Sequence, residues 1–285
     1  MSTWSDGYVN SNGMKIHYYR TGGDKPKVIF NHGAGDDGSC WTHVVKELEN
    51  DYDAIMLDAR GHGKSSSGKG DYSTAQRVED LAGVIRALGL DRPVIGGHSL
   101  GADTSMNFAA AHPELTRAIF LEDPPIMLPG EKWEISDEKM KDMSLADIGK
   151  MMRNFMLMFK IMPRFIAIGQ AKKMNPTYPE DELIPWLDSK ERMSFNFANS
   201  MTSMSMMEPG DPSELFKKIT VPVLLIIGDK KKMSIVSKEA AVKVVEANHK
   251  VQVVQLEGAD HNIRRTRFDG YMPALKDFLK EIYPS

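Results

Sequence analysis

A serine with glycines two residues to either side, Gly97-His98-Ser99-Leu100-Gly101, is the segment of this chain best equipped for chemistry. The run fits G-x-S-x-G, in which the serine occupies a sharp, strained strand-to-helix turn that lifts its hydroxyl clear of a sheet. Flanking glycines admit the neighbouring backbone that such a turn forces close. A helix opening at residue 100 would aim its free N–H groups and positive dipole end at the serine oxygen. The chemistry implied is nucleophilic attack on a carbonyl, and a serine hydroxyl is a poor nucleophile until a base takes its proton. Among the eight histidines, His261 is placed to be that base, in a loop after the last strand pattern and before the last helix. His17, His43, His112 and His249 fall in a hairpin, on helices or at helix ends and read as solvated. His32, His62 and His98 sit inside loop motifs and read as organisers of backbone.

The elements that must position these groups alternate along the chain. Asn12-Gly13 lies between alternating runs at 8–10 and 14–20, a hairpin with a two-residue turn. Strand patterns follow at 28–30, 53–58, 93–97, 118–121, 221–227 and 251–256. Helical spacing occupies 41–48, 75–88, 100–111, 238–247 and 272–282. Strands alternating with helices predict an α/β protein whose largely parallel sheet is covered on both faces, with right-handed crossovers. Between 124 and 211 the rhythm changes. Strand signals fade, and fourteen of the twenty methionines fall there. Met151, Met152, Phe155, Met156, Met158 and Phe159 form one dense patch, and Met201, Met204, Met206 and Met207 another. So long a stretch is no connecting loop. It predicts a helical cap, or lid, over the C-terminal ends of the strands, with a core made of 1–123 and 212–285. Methionine is flexible and polarisable, so such a cap would form an adaptable apolar ceiling over a pocket.

These pieces, taken in order, resemble the α/β-hydrolase superfamily over nearly the whole length. The residues that carry the resemblance are Asn31-His32-Gly33-Ala34-Gly35 after one strand and Asp58-Ala59-Arg60-Gly61-His62-Gly63-Lys64-Ser65 after the next. The Ser99 elbow, the inserted cap and Gly258-Ala259-Asp260-His261-Asn262 after the last strand complete them. The resemblance implies a mostly parallel eight-stranded sheet flanked by helices. It also implies an oxyanion hole formed by the amides of Leu100 and Ala34, and fixed donors of this kind stabilise charge without reorganising. Gly33, His98, Trp41 and Met156 are expected around the substrate, although Trp41 fits a core position equally well. The third catalytic member departs from the family's commonest pattern. Many relatives place an acid three residues past the glycine that follows the 221–227 strand, and here that position is Lys231. The acid must reach the far imidazole nitrogen and hold one tautomer. Glu122, at the end of the preceding strand, is the closest match to the acid of some haloalkane dehalogenases and of zearalenone lactone hydrolases. Asp229 and Asp123 are the alternatives.

Composition narrows the remaining choices. With 41% hydrophobic and 26% charged residues and a net charge of −3, the chain reads as globular and offers no broad basic surface for nucleic acid. Cys40 is the only cysteine, so no internal disulfide and no multi-cysteine metal site is possible, and beside Trp41 it reads as a small semi-buried residue. No metal-binding or phosphate-cradling motif is present, and the expected chemistry needs no cofactor. The N-terminal residues lack a signal-peptide pattern and no apolar run reaches membrane-spanning length, so a cytoplasmic protein without a membrane partner is expected. The expected function is a serine hydrolase of EC 3.1.1 type that cleaves an apolar carboxylic ester or lactone through an acyl-enzyme intermediate. A carbon–carbon bond hydrolase or perhydrolase could use the same residues, as could a small-molecule receptor of this fold that does not turn over. Oligomeric state is left open.

Overall fold

Strand and helix patterns assemble into one eight-stranded sheet in a computed structural model that describes residues 4–68, 70–131, 143–203 and 209–284. The strands are β1 (Ser5–Ser11), β2 (Met14–Arg20), β3 (Lys27–Asn31), β4 (Asp53–Leu57), β5 (Val94–His98), β6 (Ala118–Glu122), β7 (Val223–Ile227) and β8 (Val251–Gln255). Their order in the sheet is β1-β2-β4-β3-β5-β6-β7-β8. β1 and β2 form the expected hairpin, with Asn12 (φ 48°) and Gly13 (φ 71°) both in the left-handed region that a tight two-residue turn demands. β2 runs antiparallel to β4, and every later pairing is parallel.

Every residue of β4, β5, β6 and β7 is buried. That is the signature of strands covered on both faces. Alternate side chains divide between two cores. Ile29, Ile95, Ile119 and Leu225 pack beneath helices Thr74–Ala87, Leu100–Ala111 and Lys238–Ala247. Val28, Phe30, Phe120 and Leu224 pack against Val44, Val45, Leu275 and Phe278 from the opposite layer. Several boundaries depart from the sequence reading, two of them at prolines. β7 starts at Val223 because Pro222 has no N–H to give the ladder. The last helix starts at Phe268 and carries Pro273 inside it.

Between β6 and β7 the described chain forms helices Leu145–Ile161, Arg164–Met174, Glu180–Arg192 and Phe195–Ser200. Ser144 and Ser194 cap the first and last of these by accepting bonds from Asp147 N and Phe197 N. Pro163 separates the first two. These helices share a small core of their own: Phe159, Ala167, Ala171, Leu183, Trp186 and Leu187. Of the methionines expected to cluster, Met204, Met206 and Met207 lie outside the described residues. Among the described residues, no helix is long and apolar enough to cross a membrane.

The strand order reverses direction at β3. The chain leaves β3 toward β4 on one side and leaves β5 toward β6 on the other, and a switch point of this kind is where open α/β sheets form a ligand crevice, at the C-terminal edge of the strands. The loops after β3 and β5 carry Gly33-Ala34 and Ser99. The junction is tight: a Cβ added to Gly101 would lie 2.2 Å from the Asn31 carbonyl oxygen, and one on Gly97 2.6 Å from the same atom. Gly101→Ala is therefore expected to lower the unfolding free energy by about 1–3 kcal/mol, the cost of overpacking a filled interior. Urea denaturation of the two proteins measures it.

Candidate active site

Ser99 sits between β5 and the helix Leu100–Ala111, with φ 52° and ψ −113°. A non-glycine residue held there costs about 1–3 kcal/mol, which the surrounding structure must offset. The bonds that hold it are backbone ones. Ser99 N donates to Glu122 O at 3.0 Å, and Ser99 O accepts from Asp103 N at 2.9 Å. The preceding ring, His98, is buried and donates through Nε2 to the carbonyl of His261 at 2.9 Å. The His98 and His261 rings lie 4.5 Å apart. Burial, followed by the neighbouring His261, keeps His98 well below the usual histidine range, so it serves as a neutral donor. His98 thus anchors the histidine loop to the serine turn.

His261 donates from Nδ1 to Asp123 Oδ2 at 2.7 Å. That bond leaves Nε2 without the proton and free to accept one. The imidazole is 24% exposed, whereas Asp123 is fully buried. Three further donors hold the Asp123 carboxylate: Ser234 Oγ at 2.7 Å, Ile235 N at 2.8 Å and Val236 N at 3.1 Å. Among the described residues, the Ser99 hydroxyl makes no hydrogen bond to the imidazole in this arrangement. Such looseness is common in catalytic pairs before substrate arrives.

The partner of His261 is therefore Asp123, and the expectation that favoured Glu122 is corrected. Successive strand residues face opposite sides of a sheet. Glu122, the last residue of β6, points into the core, where it accepts from Arg264 N at 2.9 Å and Arg264 Nη1 at 3.1 Å. Burial pushes its carboxyl up, against the pull of Arg264. Asp123 lies one residue past the strand, and its positive φ of 43° turns its carboxylate over the sheet edge. His98 and Glu122 are register partners, so Asp123 stands one step beyond β6 as Ser99 stands one step beyond β5. Asp229 is also displaced from the imidazole: its side chain caps a short turn by accepting from Lys231 N at 3.0 Å.

The loop after β3 is pinned atom by atom. His32 Nδ1 and Asp36 N both donate to the Gly33 carbonyl, at 2.8 and 3.1 Å. Because a peptide unit is planar and trans, that fixes the direction of the Ala34 N–H on its far side. Gly35 N donates to His62 Nε2 at 3.1 Å, and Gly35 O accepts from Lys190 Nζ at 2.8 Å. A Cβ built on Gly33 would lie 2.5 Å from His98 Nδ1 and 3.5 Å from Ser99 Cβ, so the loop abuts the serine. Neither the Ala34 nor the Leu100 amide has a hydrogen-bond partner among the described residues. His32, His62 and His98 all hold backbone, as their loop positions implied. His17, by contrast, read as solvated and is buried between Asp58 and Asp6, because β2 is covered by the loop after β4.

Ala34 and Leu100 share an apolar cluster with Tyr72, Met152, Met156, Met193, Phe197 and Met201. Met156 reaches the loop itself, its Cε 3.1 Å from where a Gly35 Cβ would stand. Trp41 does not line the crevice. It is fully buried on the sheet face, 5.3 Å from the Phe30 ring, with Arg264 stacked on it at 4.3 Å. Burial pushes the thiol of neighbouring Cys40 up to about 12, which makes it a packing residue. Among the described residues, no cluster of histidine, cysteine and carboxylate side chains could hold a metal ion.

Sequence reasoning missed a buried ionic cluster beside the site. Asp36 Oδ1 meets Lys190 Nζ at 2.7 Å, while its Oδ2 meets Arg265 Nη2 at 3.1 Å and Arg264 Nη2 at 3.4 Å. Arg265 Nε continues to Glu182 Oε2 at 3.0 Å. Burial alone would push Asp36 up, but Arg265, Lys190 and Arg264 hold it well below the usual carboxylate range. The available signal was the doublet Arg264-Arg265 three residues past His261, too basic for a buried segment unless acids meet it.

Comparison with known proteins bears on the fold. Residues 26–156 match the family described as alpha/beta hydrolase fold. The chain is 26% identical over 288 residues to an N-formylmaleamate deformylase of Pseudomonas putida, with 98% of each chain covered. It is 25% identical to a 2-(acetamidomethylene)succinate hydrolase of Mesorhizobium japonicum, over 91% of this chain and 90% of that one. A solved structure of an N-formylmaleamic acid deformylase from Pseudomonas putida superposes with a TM-score of 0.79 at 16% identity, covering 95% of this chain and all of that one. With its eight strands in this order and a serine at the β5 turn, the chain has the α/β-hydrolase fold.

Proposed function

We propose that this protein is a serine hydrolase that cleaves an uncharged, apolar carboxylic ester or lactone through an acyl-enzyme intermediate. The observation that carries the reading is the 2.7 Å bond from His261 Nδ1 to a fully buried Asp123, set at the sheet edge beside the Ser99 turn. His261 Nε2 takes the Ser99 proton as Oγ attacks the carbonyl carbon. The charge that develops on the carbonyl oxygen meets the unpartnered amides of Ala34 and Leu100. The imidazolium, steadied by Asp123, then protonates the departing alcohol, and water activated by His261 releases the acid. In this scheme the helices of residues 145–203 act as the cap, and Met152, Met156, Phe197 and Met201 form its apolar ceiling.

The names of the relatives raise a second reading, hydrolysis of an amide bond in a carboxylate-bearing substrate. The charge arrangement favours the first. Among the described residues, the cations beside the site, Lys190, Arg264 and Arg265, are each bonded to buried carboxylates and so offer no unpaired charge to a substrate carboxylate. Carbon–carbon and peroxide chemistry would use the same residues. A receptor that does not turn over would bind without forming an acyl-enzyme.

Incubation with p-nitrophenyl acetate and butyrate tests the reading. Wild type is expected to give a burst and steady turnover, and Ser99→Ala neither. Absence of both turnover and a covalent fluorophosphonate adduct in wild type would end the enzyme reading. Each buried methylene contributes about 0.8 kcal/mol, so butyrate, with two more, should exceed acetate in kcat/KM by up to roughly fifteenfold.

The two adjacent carboxylates should separate cleanly. Asp123→Asn is expected to cut kcat by about 10⁴ with little change in fold, as loss of an orienting acid does. Glu122→Gln should act chiefly on stability, at about 3–5 kcal/mol, because it strips a buried partner from Arg264. Steady-state kinetics and thermal melts of both variants decide the ranking, and the opposite order would return the catalytic role to Glu122.

A further inference from the structure

Lys190 is a buried cation on the helix Glu180–Arg192, far in sequence from the serine turn and the histidine loop, yet it reaches the loop that follows β3. Its ammonium bonds the Gly35 carbonyl at 2.8 Å and Asp36 Oδ1 at 2.7 Å. Ser189 Oγ supports the same carbonyl at 3.1 Å. Gly35 has φ +73°, and its amide is already fixed on His62. The residue next to Ala34 is thus held at both ends, one end by the core and the other by the inserted helices. Asp36 then ties the clamp to Arg264 and Arg265, which directly follow the His261 loop.

We propose that Lys190 is a positioning residue of the acyl-transfer site: by clamping the Gly35 carbonyl against Asp36 it sets the Ala34 amide for the oxyanion, so that docking of the inserted helices completes the hole. Its kinetic consequence rests on the acyl-transfer reading above, and its structural consequence does not. A lysine that served only to neutralise Asp36 would be dispensable once that charge was also removed. One that clamps the carbonyl would not.

Full-length wild type, Lys190→Met and the charge-balanced double variant Asp36→Asn/Lys190→Met separate these roles. Two quantities are read: the acylation rate with p-nitrophenyl butyrate, and hydrogen–deuterium exchange of the segment 32–38. Lys190→Met is expected to slow acylation about tenfold or more, a share of the loss that follows removal of an oxyanion donor, while KM moves by less than about threefold. Exchange at 32–38 should quicken. The double variant should regain melting temperature but neither acylation rate nor exchange protection. Acylation within about twofold of wild type together with unchanged protection in Lys190→Met would overturn the proposal. So would full recovery of both in the double variant. Should Lys190→Met fail to fold, the double variant alone decides. Should wild type prove inert toward ester and fluorophosphonate alike, the acyl-transfer reading fails by itself, and exchange at 32–38 still judges the clamp.

Discussion

The hydrogen bond from His261 Nδ1 to Asp123 is the contact around which the crevice is arranged. It selects the tautomer whose Nε2 can accept a proton, and it turns the ring toward the end of β5. The acceptor is itself immobilised by two amides and a hydroxyl from residues 234–236, just past β7. The donor's loop is held by His98, the neighbour of Ser99 in sequence. Serine, histidine and aspartate are therefore positioned by one another's backbones as well as by the sheet. In the proposed reaction such mutual positioning would limit the reorganisation needed as charge develops, which is the chief source of electrostatic rate enhancement.

A second tier of polar contacts encloses this one. The cluster of Asp36, Glu122, Glu182, Lys190, Arg264 and Arg265 joins the loop after β3, the end of β6, the segment after His261 and the helix Glu180–Arg192. Buried ion pairs seldom add much to stability compared with apolar packing, because desolvation offsets most of their attraction. Their value lies in direction. Each charged atom has few acceptable partners, so four segments distant in sequence can meet in only one way. The methionine-rich cluster over Ala34 and Leu100 has the opposite character, apolar and adaptable, and so it suits the side on which substrates of varied shape would lie.

Much of this was legible in the amino-acid sequence, for identifiable reasons. Strand and helix periodicity placed every sheet strand within a few residues, and the Gly97–Gly101 spacing marked the serine turn because only glycine tolerates the approach of Asn31 found there. Loop position separated His261 from the backbone-holding histidines. Three things were not legible. Which of Glu122 and Asp123 faces the imidazole depends on where β6 ends and on a left-handed φ at Asp123, and a one-residue difference reverses the face. The burial of His17 depends on the loop after β4, from elsewhere in the chain, folding over it. The Lys190–Asp36 pair spans 154 residues, and no local pattern encodes so distant a contact.

The most direct measurement is a crystal structure of the protein after reaction with a fluorophosphonate. Phosphorus is expected on Ser99 Oγ, with the phosphonyl oxygen about 2.7–3.1 Å from the amides of Ala34 and Leu100. His261 Nε2 should be turned toward the adduct, with Nδ1 still on Asp123. A phosphonate carried by another residue, or a His261 ring turned away from Ser99 and released from Asp123, would contradict this arrangement.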